Sequence, residues 1–444
     1  MKKILYLAIL MAILSSCGGS GGSGELTGVE SRKKYFEPEP FGMVFVPQGS
    51  YNMGPSDQDV AWAQNSLSKT VTIDAFWMDE TEITNNEYRQ FVFWVRDSIM
   101  RRMLGEQIED FVISEDELGN PIDPPYLNWE TEIDNQDEEQ NTIINDLYLT
   151  EQERFYRRKE IDTRKLMYEY YWVDLKQAAL KTNRYNFEQK QYAGLVVNNR
   201  GEKVEVTNRA SFVFQDVINV YPDTLCWVSD FSYSFNEPYS TMYFWHPAYD
   251  NYPVVGVSWK QATAFCIWRT QLLNNSLTAS GESFVHDYRL PSESEWEYAA
   301  RGGLALAMYP WGGMYTRNNS GCFLANFKPL RGNYTDDGGA TTVKVGSYDP
   351  NEFGLFDMAG NAAEWTSSAY DESAYVYTHD LNPDYKYNAL PDDPPVLKRK
   401  VIRGGSWKDI AYYMQVGTRT YEYQDTAKSY IGFRCVRTSM VSNN

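Results

Sequence analysis

Apolar positions along the chain fall into short runs whose period changes from two to between three and four and back again. Met43-Val44-Phe45-Val46 before Pro47 reads as a strand, and Val71 to Met78 reads as a second. Thr84-Asn85-Asn86-Glu87 has the form of a capping box, and Tyr88, Phe91, Val92 and Val95 follow at helical spacing. Ser258-Trp259-Lys260-Gln261 opens a second helix with Ala262, Phe265 and Cys266 on one face. Ser292-Glu293-Ser294-Glu295 opens a third, through Trp296 and Ala299. Gly302-Gly303 closes it, because glycine adopts the left-handed turn that ends a helix. From about Met308 onward Gly, Pro, Asn and Asp are frequent and helical periodicity stops, which predicts loops and short strands.

Between the first and second helices lies a long stretch, residues 98–250, far beyond ordinary loop length. Its middle, Leu149 to Lys181, is charged and reads as helix-prone. Its later part, Tyr192 to Asp230, alternates like strands, with Asn198-Asn199-Arg200-Gly201 as a hairpin turn. Its many aromatic residues suit contacts with a partner better than solvated decoration.

The first residues read as an address. Lys2 and Lys3 precede an apolar run, Ile4 to Leu14, too short to span a bilayer. It ends in Leu14-Ser15-Ser16-Cys17, which matches the bacterial lipobox. The expectation is a signal peptide over 1–16, lipid on Cys17, and a flexible Gly/Ser-rich tether over 17–40. That places the body on the outer membrane through lipidated Cys17, facing the periplasm.

Composition adds two limits. Hydrophobic residues make up 43% of the chain, enough for a real core, and aromatics 15%. The formal net charge of -19 repels nucleic acid and anionic lipid, so no nucleic-acid partner is expected. The same charge suits cations and basic proteins, or serves solubility alone.

Six ordered motifs carry a family resemblance. They are Met43 to Gly54; Asp79-Glu80-Thr81-Glu82-Ile83-Thr84-Asn85; Tyr252-Pro253-Val254-Val255-Gly256-Val257-Ser258-Trp259; Arg289 to Gly303 (RLPSESEWEYAARGG); Gly354 to Trp365 (GLFDMAGNAAEW); and Arg403-Gly404-Gly405-Ser406-Trp407 with Gly432-Phe433-Arg434-Cys435. They resemble the formylglycine-generating-enzyme (FGE-sulfatase) family. The resemblance implies an α+β, C-type-lectin-like fold poor in regular secondary structure. Its core would be formed by 41–97 and 251–444, with 98–250 as a mixed helix–strand insertion.

Family enzymes bind copper through two cysteines after the Gly-Gly-Ser motif, where soft thiolates suit Cu(I). Lys408 to Arg434 contains no Cys, so no catalytic residue is assigned and oxidase activity is not expected. Iron chemistry through three histidines is equally unsupported by His246, His286 and His379. The resemblance further implies a structural Ca²⁺ at Asp357, Gly360, Ala362 and Glu364, and a looser one at Asn326, Phe327, Asp337 and Gly339. Oxygen-rich loops of this kind suit hard cations, although the carboxylates alternatively only cap turns. It also implies a disulfide between Cys266 and Cys435, or else two buried thiols, and gives no role to Cys226 or Cys322.

Lipobox, tether, missing cysteine pair and large insertion together resemble the gliding-motility lipoprotein family GldK (PorK) of the type IX secretion system. That resemblance implies self-association into a periplasmic ring with a GldN/PorN-type partner protein. The rivals are a GldJ-like lipoprotein of the same class, a formylglycine-generating oxidase, and a lectin-like binding module.

Overall fold

Three capping boxes set the principal helices. In α1 (Asn85–Gly105) the Thr84 hydroxyl accepts from the Glu87 N–H, while the Glu87 carboxylate accepts from the Thr84 N–H at 2.7 Å. Ser258 and Gln261 do the same for α2 (Trp259–Ala279), and Ser292 and Glu295 for α3 (Glu293–Arg301). Gly302 ends α3 at φ +57°, as its sequence predicts. Tyr88 of α1 stacks on Phe265 of α2 with ring centroids 5.6 Å apart, and Phe91 packs on Trp268, so the two long helices share one aromatic core.

The computed structural model describes residues 37–55, 68–116, 118–134, 136–154, 158–329 and 333–440. The expected signal peptide, the expected lipid site Cys17 and the expected tether up to residue 36 lie outside the described residues. Residues 39–444 gather into one unit. Among the described residues no helix is long and apolar enough to cross a membrane.

Strands β1 (Met43–Val46), β2 (Gly49–Met53), β3 (Lys69–Ile73) and β4 (Phe76–Asp79) open the core. The run Val71–Met78 is therefore two strands and not one. Asp74 gives its N–H to the Asn382 side chain (2.9 Å), and the chain changes sheets there: β3 pairs β2, while β4 lies between β1 and β16 (Val436–Thr438). The first sheet has the order β1-β4-β16-β11, with β11 at Tyr288–Arg289. The second runs β14-β13-β12-β15. It consists of β12 (Ala363–Ala369), β13 (Arg399–Arg403), β14 (Thr420–Tyr423) and β15 (Ile431–Gly432), the last parallel to β12. The stretch after Met308 is loops and short strands, as expected from its turn residues.

The stretch 98–250, in its described residues, folds onto this core instead of standing apart from it. It contributes hairpin β5 (Val112–Glu115)/β6 (Pro121–Leu127), pair β7 (Met167–Val173)/β10 (Val213–Asn219), and hairpin β8 (Leu195–Val197)/β9 (Lys203–Glu205). The Asn198–Gly201 turn closes that last hairpin, with Gly201 at φ +85°. The helix expected within Leu149–Lys181 does not form. Among its described residues there are only short turns, a one-turn helix and β7, because Tyr168 and Tyr170 alternate into the core and pairing with β10 overrides local charge-rich helix propensity. Phe111, Ile144, Leu147, Tyr168 and Tyr170 of the insertion pack in the same cluster as Tyr88 and Phe265.

Candidate functional site

The loop from Asp357 to Glu364 carries the first predicted cation set, and it is held by a residue the sequence reading treated only as helix entry. Glu82 accepts from the Ala362 N–H (2.9 Å) through Oε1 and from Asn361 Nδ2 (2.9 Å) through Oε2. Asn361 sits at φ +61° and Asp357 at φ +54°, so the loop is tightly coiled. Gly360 is required where it is: at φ +80°, an added Cβ would meet the Asn326 carbonyl oxygen at 2.3 Å. That close approach joins the two predicted sets into one neighbourhood.

Charge in this neighbourhood is unbalanced. Glu82, Asp357 and Glu364 are all buried and act on one another, with Arg434 as the cation among them. Burial, reinforced by Asp357 and Glu364, pushes the Glu82 carboxyl well above the usual range, and burial pushes Asp357 up to about 6. Glu364 is fully engaged: Oε1 accepts from Arg434 Nη2 (2.6 Å) and Nε (2.9 Å), and Oε2 from Arg434 Nε (2.8 Å) and Trp296 Nε1 (2.7 Å). Its lone pairs are spent, so it does not fit as a cation ligand in this arrangement. Asp357, whose Oδ2 accepts from the Gly346 N–H, and Glu82, which accepts from the Ala362 N–H, keep acceptor capacity.

The second set fits a cation better than its sequence signal implied. Asn326 is 1% exposed, and its Oδ1 has no hydrogen-bond donor, while its Nδ2 donates to the Thr341 carbonyl (2.9 Å) and to Asn361 Oδ1 (3.2 Å). An orphaned buried acceptor is what an ion satisfies. Asp337 accepts from the Phe327 N–H (2.6 Å) and the Gly339 N–H (3.2 Å), and burial raises its carboxyl above the usual range. A Cβ at Gly339 would stand 2.9 Å from Asn326 Oδ1, so glycine keeps that space open. Among the described residues no three His, Cys, Asp or Glu side chains converge on a metal position, so an ion here relies on the one Asp337 carboxylate with amide and backbone oxygens.

Beside these loops lies the Gly-Gly-Ser-Trp motif. Trp407 is 7% exposed because residues 227–231 cover it: Trp227 stacks at 6.1 Å and Phe231 packs at 5.2 Å. Asp230, between those two rings' segments, accepts from the Ser429 N–H (3.0 Å) and pairs with Lys428 (3.2 Å). The Lys408 ammonium lies over the Tyr430 ring. This cover was invisible in the sequence, since Phe231 and Trp407 belong to segments far apart in the chain.

A model of the sulfatase-modifying factor enzyme 1-like domain (FGE-sulfatase) matches residues 30–140 and 200–439. The chain belongs to this family. The FGE-sulfatase fold is mixed α and β with little regular secondary structure, as the resemblance implied. An inactive C-alpha-formylglycine-generating enzyme 2 of Bos taurus is 34% identical over 190 residues, 41% of this chain and 50% of that protein. A formylglycine-generating enzyme of Streptomyces coelicolor is 34% identical over 189 residues, 42% of this chain and 52% of that protein. The chain spans about half the length of these curated relatives. Among solved structures, PvdO from Pseudomonas aeruginosa aligns over 89% of this chain and 94% of its own, with 16% identity and a TM-score of 0.44. Active and inactive relatives both occur, so membership alone does not assign catalysis.

Cys266 of α2 and Cys435 meet with sulfurs 3.4 Å apart, as free thiols in contact and not the roughly 2.05 Å bond of a disulfide. Cys226 is a buried free thiol under the Trp407 cover, and Cys322 is exposed. His246 caps a turn, accepting from the Ala248 N–H, and packs edge-on against Trp245.

Proposed function

We propose that this FGE-sulfatase protein is a non-catalytic structural component of a type IX secretion or gliding machinery. It would be anchored to the outer membrane through Cys17 and face the periplasm. The observation that carries the non-catalytic reading is the absence of any Cys from Lys408 to Arg434. Copper chemistry of the family's kind needs thiolates after the Gly-Gly-Ser motif, and their lack there supports this reading. The lipobox, the tether and the insertion support likeness to the GldK (PorK) lipoproteins. In this reading the chain self-associates into a ring and binds a GldN/PorN-type periplasmic protein. Structural Ca²⁺ would be held by Asn326 and Asp337 with backbone oxygens of Phe327 and Gly339. A second ion would use Asp357, Glu82 and the backbone of Gly360 and Ala362.

Two measurements test this. Purified protein incubated with Cu(I) and a Cys-containing sulfatase peptide is expected to yield no aldehyde above a heat-killed control; product formation overturns the non-catalytic reading. Detergent-solubilised native membranes are expected to show the chain in a large assembly with a GldN/PorN-type protein. A monomer, or an assembly lacking any such protein, overturns the secretion reading.

A further inference from the structure

Two lobes of opposite charge flank β7. Residues 103–153 contain sixteen Asp and Glu and no Lys or Arg, and most of these acids are exposed. Residues 175–212 contain seven Lys and Arg, all exposed, against three Glu. β7 is seven residues long and so extends about 20 Å. Leu166, just before it, packs with Phe111, Ile144 and Leu147 of the acidic lobe. Just after it, the Asp174 N–H donates to the Phe212 carbonyl (2.9 Å), and Trp172 packs on the Val196, Val206 and Phe212 core of the basic lobe. The strand therefore enters from one lobe and leaves into the other.

Neither lobe is neutralised within the chain. Among the described residues no Lys or Arg of 175–212 forms an ion pair, and in the acidic lobe only Glu153 does, with Arg164 at 3.0 Å. Arg101, Arg154, Lys159 and Lys165 also reach the acidic lobe, but they donate to carbonyl or amide oxygens there and not to carboxylates. Sixteen acids outnumber these five cations and the neighbouring Arg102. Each lobe also shows large apolar side chains to water. Leu118 is 87% and Tyr126 65% exposed on the β5–β6 hairpin, and Leu175 is 73% and Phe187 84% exposed on the basic lobe. Apolar centres set among charges of one sign are what a protein interface uses. The family model matches up to residue 140 and resumes at 200, so most of the basic lobe is an addition to the common fold.

Complementarity selects the occupant. An anionic lipid surface would suit the basic lobe alone and is repelled by a chain of formal net charge -19. A second copy suits both lobes, because it brings acids to the basic lobe and bases to the acidic one. Since the two lobes are different surfaces, such a contact is head-to-tail and leaves one lobe of each copy free for another. We propose that the acidic lobe of one copy, residues 103–153, docks on the basic lobe of the next, residues 175–212. The proposal rests on the scaffold reading above and assigns its self-association to these two surfaces. The apolar centres supply affinity, and opposite charge steers and orients the approach.

The test is sedimentation of the full lipidated chain, purified in detergent, at low and high salt. The parent forms assemblies larger than a dimer, and high salt weakens them. K181E/R184E/K203E reverses the basic lobe and E115K/E130K/E132K the acidic lobe. All six side chains are exposed, so both variants keep the parent melting temperature. Each variant alone self-associates at least about tenfold more weakly, since like charges now face each other. Mixing the two restores association, because each retains the lobe that the other has lost, and so does one chain carrying all six changes. Variants that assemble as the parent does, a mixture that stays apart, or a parent that stops at a dimer overturns the proposal. If the basic-lobe variant loses binding to phosphatidylglycerol vesicles while its self-association is unchanged, the lobe belongs to lipid and the proposal falls. A parent that is monomeric in detergent but enters a large assembly in native membranes removes this proposal and leaves the scaffold reading standing. A monomer in both removes both.

Discussion

Arg434 closes on Glu364 with Nη2–Oε1 at 2.6 Å and Nε–Oε2 at 2.8 Å, and both side chains are fully buried. The same guanidinium donates to the carbonyls of Asp79 (3.1 Å) and Phe356 (2.8 Å), so it ties the end of β4 to the loop before Glu364. Removing it strands Glu364 next to Glu82 and Asp357, all buried. Arg434→Met is expected to lower unfolding free energy by about 3–5 kcal/mol, since a broken buried pair leaves an uncompensated charge. Denaturant unfolding measures this; a change under about 1 kcal/mol would show the pair to be dispensable.

The calcium reading has its own test in Asn326. Protein purified without chelator is expected to carry Ca²⁺ by elemental analysis, and EDTA is expected to lower its melting temperature. An ion at about a hundred times its dissociation constant contributes about 2.7 kcal/mol. Asn326→Leu removes the orphaned Oδ1 and is expected to melt at the same temperature with or without EDTA if this is the only ion retained. Parent protein free of calcium and indifferent to EDTA would exclude both ions.

The sequence was most legible where structure is local. The three capping boxes each span four residues, and all three set helix starts where expected. It was least legible where partners are distant. Glu82 reaches Asn361 and Ala362 across 279 and 280 residues, so its role as the brace of the Asp357–Glu364 loop had no nearby signal. β7 departs from the helix its sequence predicts because Glu, Arg and Lys around it favour helix, whereas packing of Tyr168 on Phe91 and pairing with β10 favour strand. Both cation sets could be named from motif likeness, but the commitment of Glu364 to Arg434 and Trp296 required three segments to be brought together.

Cys266 and Cys435 are 169 residues apart in sequence, with sulfurs in contact at 3.4 Å. In an oxidising compartment the pair is expected to form a disulfide. Closing a loop of that length stabilises the fold by about 3–5 kcal/mol in the chain-entropy view. Non-reducing peptide mapping of protein from native membranes is expected to return the 266–435 crosslink, and reductant to lower the melting temperature. Complete alkylation of both cysteines after denaturation without reductant would establish them as resting thiols.

Lys400 of β13 is 0% exposed, with its ammonium 3.8 Å from the Trp259 ring centroid and donating to the Tyr387 carbonyl at 2.8 Å. Burial pushes its pKa down to about 7, against about 10.4 in an unfolded chain. The charges facing it are Asp384, Lys386, Asp425 and Lys260, two of each sign, so desolvation prevails. Between about pH 7 and about pH 10 the unfolded state therefore binds the proton that the folded state has released, and the Lys400 contribution to stability rises with pH through that window. Below about pH 7 both states are protonated and the buried charge weighs fully against the fold. Lys400→Met is expected to flatten the rise between about pH 7 and about pH 10 and to be more stable than the parent near pH 6, by a few kcal/mol at most. Urea unfolding of both proteins across that range measures it. A parent profile with the same slope as the variant would mean that Lys400 keeps its proton in the folded state, held by the Trp259 face and the Tyr387 carbonyl.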